Sequence, residues 1–135
     1  MRRQYHFYIY ILTNYRRTSL YIGFTDDIIR RTIEHKFEIG SFFTSRYRLK
    51  YLVYFEEYKY VDMAIAREKE LKGWRRERKE ELIKKNNPLL LDLSEKLFKD
   101  CGYSNDDVVR CAEELKSLHC IDPSLRSTGT QDDKK

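Results

Sequence analysis

Cysteine is scarce in this 135-residue chain, and what there is falls in the last third: Cys101, Cys111 and Cys120. Three cysteines cannot close a set of disulfides, and a chain of this length buries enough core to do without them. Nothing ahead of them has the layout of a secretory leader. Met1-Arg-Arg-Gln is basic, but the segment that follows is short and broken by polar residues. No apolar run approaches the length needed to span a bilayer. These lacks together lead us to expect a reduced, cytoplasmic protein without a membrane segment. Internal repeats are missing too, and Cys111, His119 and Cys120 lack the spacing of a closed zinc ligand set.

Charge is plentiful but unevenly divided. Residues 1–96 carry 21 Lys+Arg against 14 Asp+Glu, whereas residues 97–135 carry 6 against 8. A basic body with a mildly acidic end suits a polyanionic partner, and a solubilising surface is the plainer alternative. The eleven tyrosines are the other surplus. Many alternate with apolar residues over the first 60 positions, as strand residues do.

Residues 5–13, Tyr-His-Phe-Tyr-Ile-Tyr-Ile-Leu-Thr, read as a strand, and Leu20–Phe24 returns from a polar turn to make a hairpin. Gly23 stands where a strand lets another backbone or a ligand come close. Thr25-Asp26-Asp27 supplies N-cap side chains to a helix over 27–38, whose Ile28, Ile29, Ile33 and Phe37 repeat at helical spacing. Arg31 and His35 are four apart on that helix and share a face. Gly40 is placed to end it, and a loop mixing Phe42, Phe43 and Tyr47 with Arg46 and Arg48 leads to a third strand, 51–57. Asp62 is expected to cap a long charged helix with Met63, Ala64, Ala66, Leu71, Trp74, Leu82 and Ile83 as its apolar positions. A break is expected near Gly73, and Pro88 ends the run. Residues 94–99 suit another helical turn, and Ser104–Asp107 resembles a capping box opening a helix with Val108, Cys111, Ala112 and Leu115 on one side. Residues 122–135 have the composition of a disordered end.

Phosphodiester cleavage needs an activated water, a cation at the phosphate and stabilisation of the leaving oxygen. Arginine suits the phosphate because its planar fork donates two parallel hydrogen bonds at any working pH. One carboxylate suffices for a magnesium ion that keeps several waters. A tyrosine hydroxyl serves as general base if a cation lowers its pKa. Each residue taken alone has a bland reading: strand aromatics for Tyr8, Tyr10 and Tyr21, a solvated helix face for Arg31 and His35, an i,i+4 pair for Glu68 and Lys72. Glu34, Glu70 and Asp62 read as surface or capping groups, and Trp74 as a core residue rather than a base-stacking platform.

The spacing adds more. Tyr8-Ile9-Tyr10, ten intervening residues, Tyr21-Ile22-Gly23-Phe24-Thr25, then Arg31 and His35, and later Ala66-Arg67-Glu68-Lys69-Glu70-Leu71-Lys72-Gly73-Trp74 and Asn87-Pro88, together resemble the GIY-YIG nuclease superfamily over about residues 5–93. The likeness is to its small single-domain bacterial branch, related to the nuclease module of the excision-repair incision subunit. Tyr8 stands where the first tripeptide has glycine, which bears on the local backbone path.

That resemblance implies an α+β fold, a small three-stranded antiparallel sheet flanked by helices. It implies Tyr10 or Tyr21 as general base, Tyr10 favoured, Arg31 as phosphate clamp, His35 as a hydrogen-bond or relay partner and Glu68 as metal ligand for Mg²⁺ or Mn²⁺. Gly23 leaves room for substrate, and Asn87 steadies the site. Arg46, Arg48 and Lys72 are the cations best placed to hold substrate backbone, and Lys72, Arg75, Arg76 and Lys79 form a run that suits a second stretch. No zinc finger or base-reading helix is appended, so selection by nucleic-acid structure is expected, with DNA favoured over RNA and DNA repair or processing as the setting. The expected layout is a nuclease domain over 1–96, a helical appendage over 97–121 that offers a docking element for a protein partner, and the 122–135 tail.

Overall fold

The computed structural model describes residues 6–39 and 48–121, with backbone alone at 119–121. The features expected at Tyr5, Gly40, the 41–47 loop with Arg46, and the 122–135 end lie outside the described residues. Strand β1 (Phe7–Thr13) occupies the middle of an antiparallel sheet, between β2 (Leu20–Thr25) and β3 (Tyr51–Tyr58). Among the described residues the helices are α1 (Ile28–Lys36), α2 (Val61–Lys72), α3 (Arg76–Asn86), α4 (Ser94–Asp100) and α5 (Asn105–Ile121). The fold class is α+β, as expected.

Alternation along β1 sends successive side chains to opposite faces of the sheet. Ile9 and Ile11, with Ile22 and Val53, meet Ala64 and Leu71 of α2 and Ile83 of α3. Tyr10 and Leu12, with Leu52, meet Ile28 of α1 and Leu97 of α4. The register between β1 and β3 shifts between Ile11 and Leu12, so Ile11 faces Tyr54 while Leu12 faces Leu52. The extra residue keeps both faces apolar through the irregularity.

Local chemistry sets most of the element ends. Asp27 caps α1, its side chain accepting from the Arg30 amide at 3.1 Å. α2 departs from expectation: its N-cap is Tyr60, and Asp62 sits in the first turn, where a negative charge favours the helix dipole. Met63 and Ala66, expected in the core, are exposed, because the helix turns only Ala64 and Leu71 fully toward the sheet. Gly73 ends α2 as anticipated, its amide donating to the Lys69 and Glu70 carbonyls. Arg76, the first residue of α3, donates from its guanidinium to the carbonyls of Thr18 at 2.5 Å and Arg17 at 2.8 Å, tying α3 to the β1–β2 turn. This Arg76 is therefore engaged by the chain's own backbone rather than presented for a substrate. Before α5, Ser104 Oγ accepts from the Asp107 amide while Asp107 Oδ2 accepts from the Ser104 amide, the reciprocal pattern of a capping box.

The C-terminal helices complete a third cluster. Val108 and Ala112 of α5, with Cys111 and Leu115 beside them, pack on Ile33 of α1, Ile39 and Phe98 of α4. The boundary expected between residues 96 and 97 thus falls inside α4. The apolar side of α5 is closed against α1 and α4.

Candidate active site

The β1–β2 register sets Tyr10 opposite Gly23 and Leu12 opposite Tyr21. With two-residue periodicity, Tyr10, Tyr21 and Gly23 then share one sheet face, the one covered by α1. The two phenol rings lie 6.4 Å apart, and the His35 ring packs 5.6 Å from Tyr10 and 6.2 Å from Tyr21. His35 Nε2 is 3.1 Å from the Tyr10 hydroxyl, within hydrogen-bond reach, with the donor set by the imidazole tautomer.

Burial separates the roles of these rings. Tyr10 is 3% exposed. Its burial holds the phenol far above the ordinary tyrosine range; Tyr21, Glu34 and Glu68 push the same way, and Arg31 alone pulls down. Burial also lowers the His35 imidazole to about 3, helped by the Arg31 charge, so the ring is neutral at physiological pH. Tyr10 and His35 therefore form a neutral, hydrogen-bonded pair inside the protein. Tyr21 is only partly buried.

Arg31 rises from α1 with its side chain 42% exposed, and one guanidinium nitrogen lies 3.2 Å from Glu34 Oε1. Sequence reasoning placed Glu34 on the surface, but it is 6% exposed. Its second oxygen accepts from Arg30 Nε at 3.2 Å, so one carboxylate braces two consecutive arginines. The clue was the i,i+3 and i,i+4 spacing from Arg31 and Arg30. Its charged neighbours Arg30, Arg31 and Lys36 concealed that it faces inward.

Glu68 lies on α2, across the sheet from α1. Its side chain is 20% exposed and pairs with Lys72 Nζ at 3.0 Å. The charges of Glu68 and of Arg31 both act on the Tyr10 phenol, Arg31 lowering its pKa and Glu68 raising it, from helices on opposite faces of the sheet. A hydrated magnesium or manganese ion fits this donor chemistry: one hard carboxylate oxygen with water and phosphate oxygens for the rest. Among the described residues no group of three or more His, Cys, Asp and Glu could form an all-protein metal cage.

The remaining expected residues are spread out. Gly23 is needed for a reason other than substrate access: a Cβ there would stand 2.5 Å from the Tyr10 hydroxyl oxygen and 2.8 Å from its ring carbon Cε1. Asn87 is buried, its amide nitrogen donating to the Val53 carbonyl at 3.1 Å and the Leu91 carbonyl at 2.8 Å, while its oxygen accepts from the Leu91 amide. It pins β3, the sheet edge away from Tyr21. Arg48 is exposed on a left-handed backbone, φ 56°. Nearby Lys50 pairs with Glu38 at 2.9 Å.

A second polar network went unread. Glu56 on β3 receives two hydrogen bonds from Arg67, each 3.0 Å, and accepts from the Tyr54 and Tyr58 hydroxyls. The Arg67 guanidinium in turn lies 5.2 Å from the Trp74 ring, and Arg78 lies 4.0 Å from it. Nothing in the linear sequence pairs Glu56 with Arg67, because strand and helix meet only in the fold.

The GIY-YIG catalytic domain matches residues 6–81 of the chain. A UPF0213 protein of Haloquadratum walsbyi (strain DSM 16790 / HBSQ001) is 35% identical over 82 residues, which cover 61% of this chain and 91% of that relative. No solved structure shows a significant match. No helix among the described residues is long and apolar enough to cross a membrane. The paired tyrosines, the arginine one helix later and the distant glutamate all fall within the matched span, and the chain belongs to the GIY-YIG family of endonucleases.

Proposed function

We propose that the protein hydrolyses phosphodiester bonds in DNA with the help of one divalent ion, Mg²⁺ or Mn²⁺, choosing its substrate by structure rather than by sequence. DNA repair or processing is the setting that suits such an activity. The observation that carries the reading is the Tyr10, Tyr21 and His35 cluster on the sheet face covered by α1, the helix from which Arg31 rises. In this reading Arg31 clamps the scissile phosphate through a bidentate pair of N–H bonds while Glu34 holds its arm in place. Tyr21, on the open side, orients the attacking water and, reacting as its phenolate, takes its proton. The buried Tyr10–His35 pair fixes the floor beneath it. Tyr21 is preferred over Tyr10 as the base because burial opposes ionisation of Tyr10 so strongly. Water adds to phosphorus, the bond to the 3′-oxygen breaks, and the products are a 5′-phosphate and a 3′-hydroxyl. A divalent ion held by Glu68 would supply positive charge for the departing oxygen. Lys72, Arg48 and Arg46 would contact the flanking backbone.

The test is cleavage of flapped, branched, duplex and single-stranded DNA, and of matched RNA, with Mg²⁺ or Mn²⁺ and with chelator. Metal-dependent nicking of a DNA junction or flap, abolished in Arg31→Ala and in Glu68→Ala proteins that keep their circular dichroism, supports the reading. Tight binding without cleavage of every substrate would reduce the protein to a nucleic-acid-binding module.

A further inference from the structure

At the corner where α2 gives way to α3, an open cleft of about 570 Å³ is lined by Gly73, Trp74, Arg75, Glu77, Arg78 and Glu81. The expected core residue Trp74 is only partly buried there, and it is the single tryptophan of the chain. Its ring has an unusual backing. Arg67 lies against it, and Arg67 is itself fixed by the two hydrogen bonds to Glu56, whose oxygens also accept from Tyr54 and Tyr58. A cation held by Glu56 and Glu70 thus steadies an indole at the surface. The exposed guanidinium of Arg78 lies against the same ring.

We infer that this cleft is a nucleobase site for the substrate strand, distinct from the cleavage centre. A flat, steadied aromatic ring is the chemistry that stacks an unpaired base once the exposed Arg78 guanidinium, which lies over the ring, swings aside, and stacking of this kind tolerates any sequence. The two carboxylates settle which part of the strand enters. Glu77 and Glu81 would repel a phosphate, whereas a base edge carries N–H groups that need acceptors. Guanine presents two adjacent N–H donors on its Watson–Crick edge, thymine a single one, so guanine fits better. Arg75 at the rim then meets the neighbouring phosphate. Trp74 lies two positions beyond the end of α2, whose last turn begins near Glu68. The cleft therefore sits round the end of α2 from the metal carboxylate, and it holds a base a few nucleotides from the scissile bond. It gives a physical basis for preferring flaps, junctions or single strands, whose bases are free to swing out.

The inference rests on the nuclease reading for its substrate, but its test does not need catalysis. Because Trp74 is the sole tryptophan, its emission reports directly on the cleft. The intact protein is titrated without divalent metal with a fluorescein-free deoxyguanosine-containing ten-mer and with oligothymidine, and binding is followed separately by anisotropy of labelled copies. Saturable quenching that is stronger for the guanine strand is expected. Replacing Glu77 and Glu81 together by Gln should remove that preference while leaving the thermal transition in place. In cleavage assays Trp74→Ala should raise KM about tenfold, the scale of one lost base stack, with kcat kept, and Trp74→Phe should recover part of the loss. Anisotropy that reports binding while the emission stays constant would overturn the inference, as would no binding of either strand. Quenching without any cleavage would leave the cleft standing and remove the nuclease reading instead.

Discussion

The Tyr10 ring lies across Gly23 on the neighbouring strand, in the space that any side chain at position 23 would require. The second-tripeptide glycine and the first-tripeptide tyrosine are thus one packing unit. Gly23→Ala is expected to push Tyr10 off His35 and to destabilise the fold by about 1–3 kcal/mol, the usual range for overpacking. Thermal unfolding checks the stability. A double variant with Tyr10→Phe should not recover it, since Cβ would still meet the ring carbon Cε1.

Tyr21→Phe and Tyr10→Phe separate chemistry from support. Loss of the Tyr21 hydroxyl should lower kcat by about 10²–10⁴ with little change in stability, the scale of a positioned general base. Loss of the buried Tyr10 hydroxyl should cost about 1 kcal/mol of stability, because His35 Nε2 loses its partner, and should reduce kcat less. Chemical denaturation beside single-turnover cleavage reads both. Reversed outcomes would return the base role to Tyr10.

His35 gives the fold an acid-sensitive flank. Its folded pKa is about 3, against about 6.5 when unfolded. Between those values the unfolded chain binds a proton that the folded chain refuses, so this contribution is undiminished above pH 6.5 and erodes as pH falls toward 3. The slope is at most about 1.4 kcal/mol per pH unit. In the His35→Gln protein, whose side chain cannot titrate, the denaturant midpoint should vary less over that window.

Truncation after residue 93 should harm more than its distance from the matched family domain implies. It removes Phe98, Val108 and Ala112, the apolar partners of Ile33 on the helix that carries Arg31 and His35. Amide exchange in α1 should rise and cleavage fall together. Normal cleavage by the shortened protein would make α4 and α5 dispensable.

The sheet, α1 and the α2–α3 break at Gly73 were legible because each rests on local chemistry: alternating aromatics, the Asp27 cap, a glycine between charged helical runs. The family was legible through the spacing of the motif tyrosines, Arg31 and Glu68. What escaped was inwardness among charged residues. Glu34 and Glu56 look like surface carboxylates in sequence, and only packing against Arg30, Arg31 and Arg67 makes them interior braces. Asn87 had the opposite fate: its position in the family pattern hinted at the site, whereas its amide closes backbone bonds at the other sheet edge. The fate of α5 depended on whether its apolar stripe found α1 or stayed open, and helical periodicity is the same in both cases.

Arg76 grips the β1–β2 turn only two positions beyond Trp74. The tyrosine-bearing hairpin and the indole corner consequently share a strut, so Arg76→Ala would release the turn ahead of Tyr21 from the head of α3.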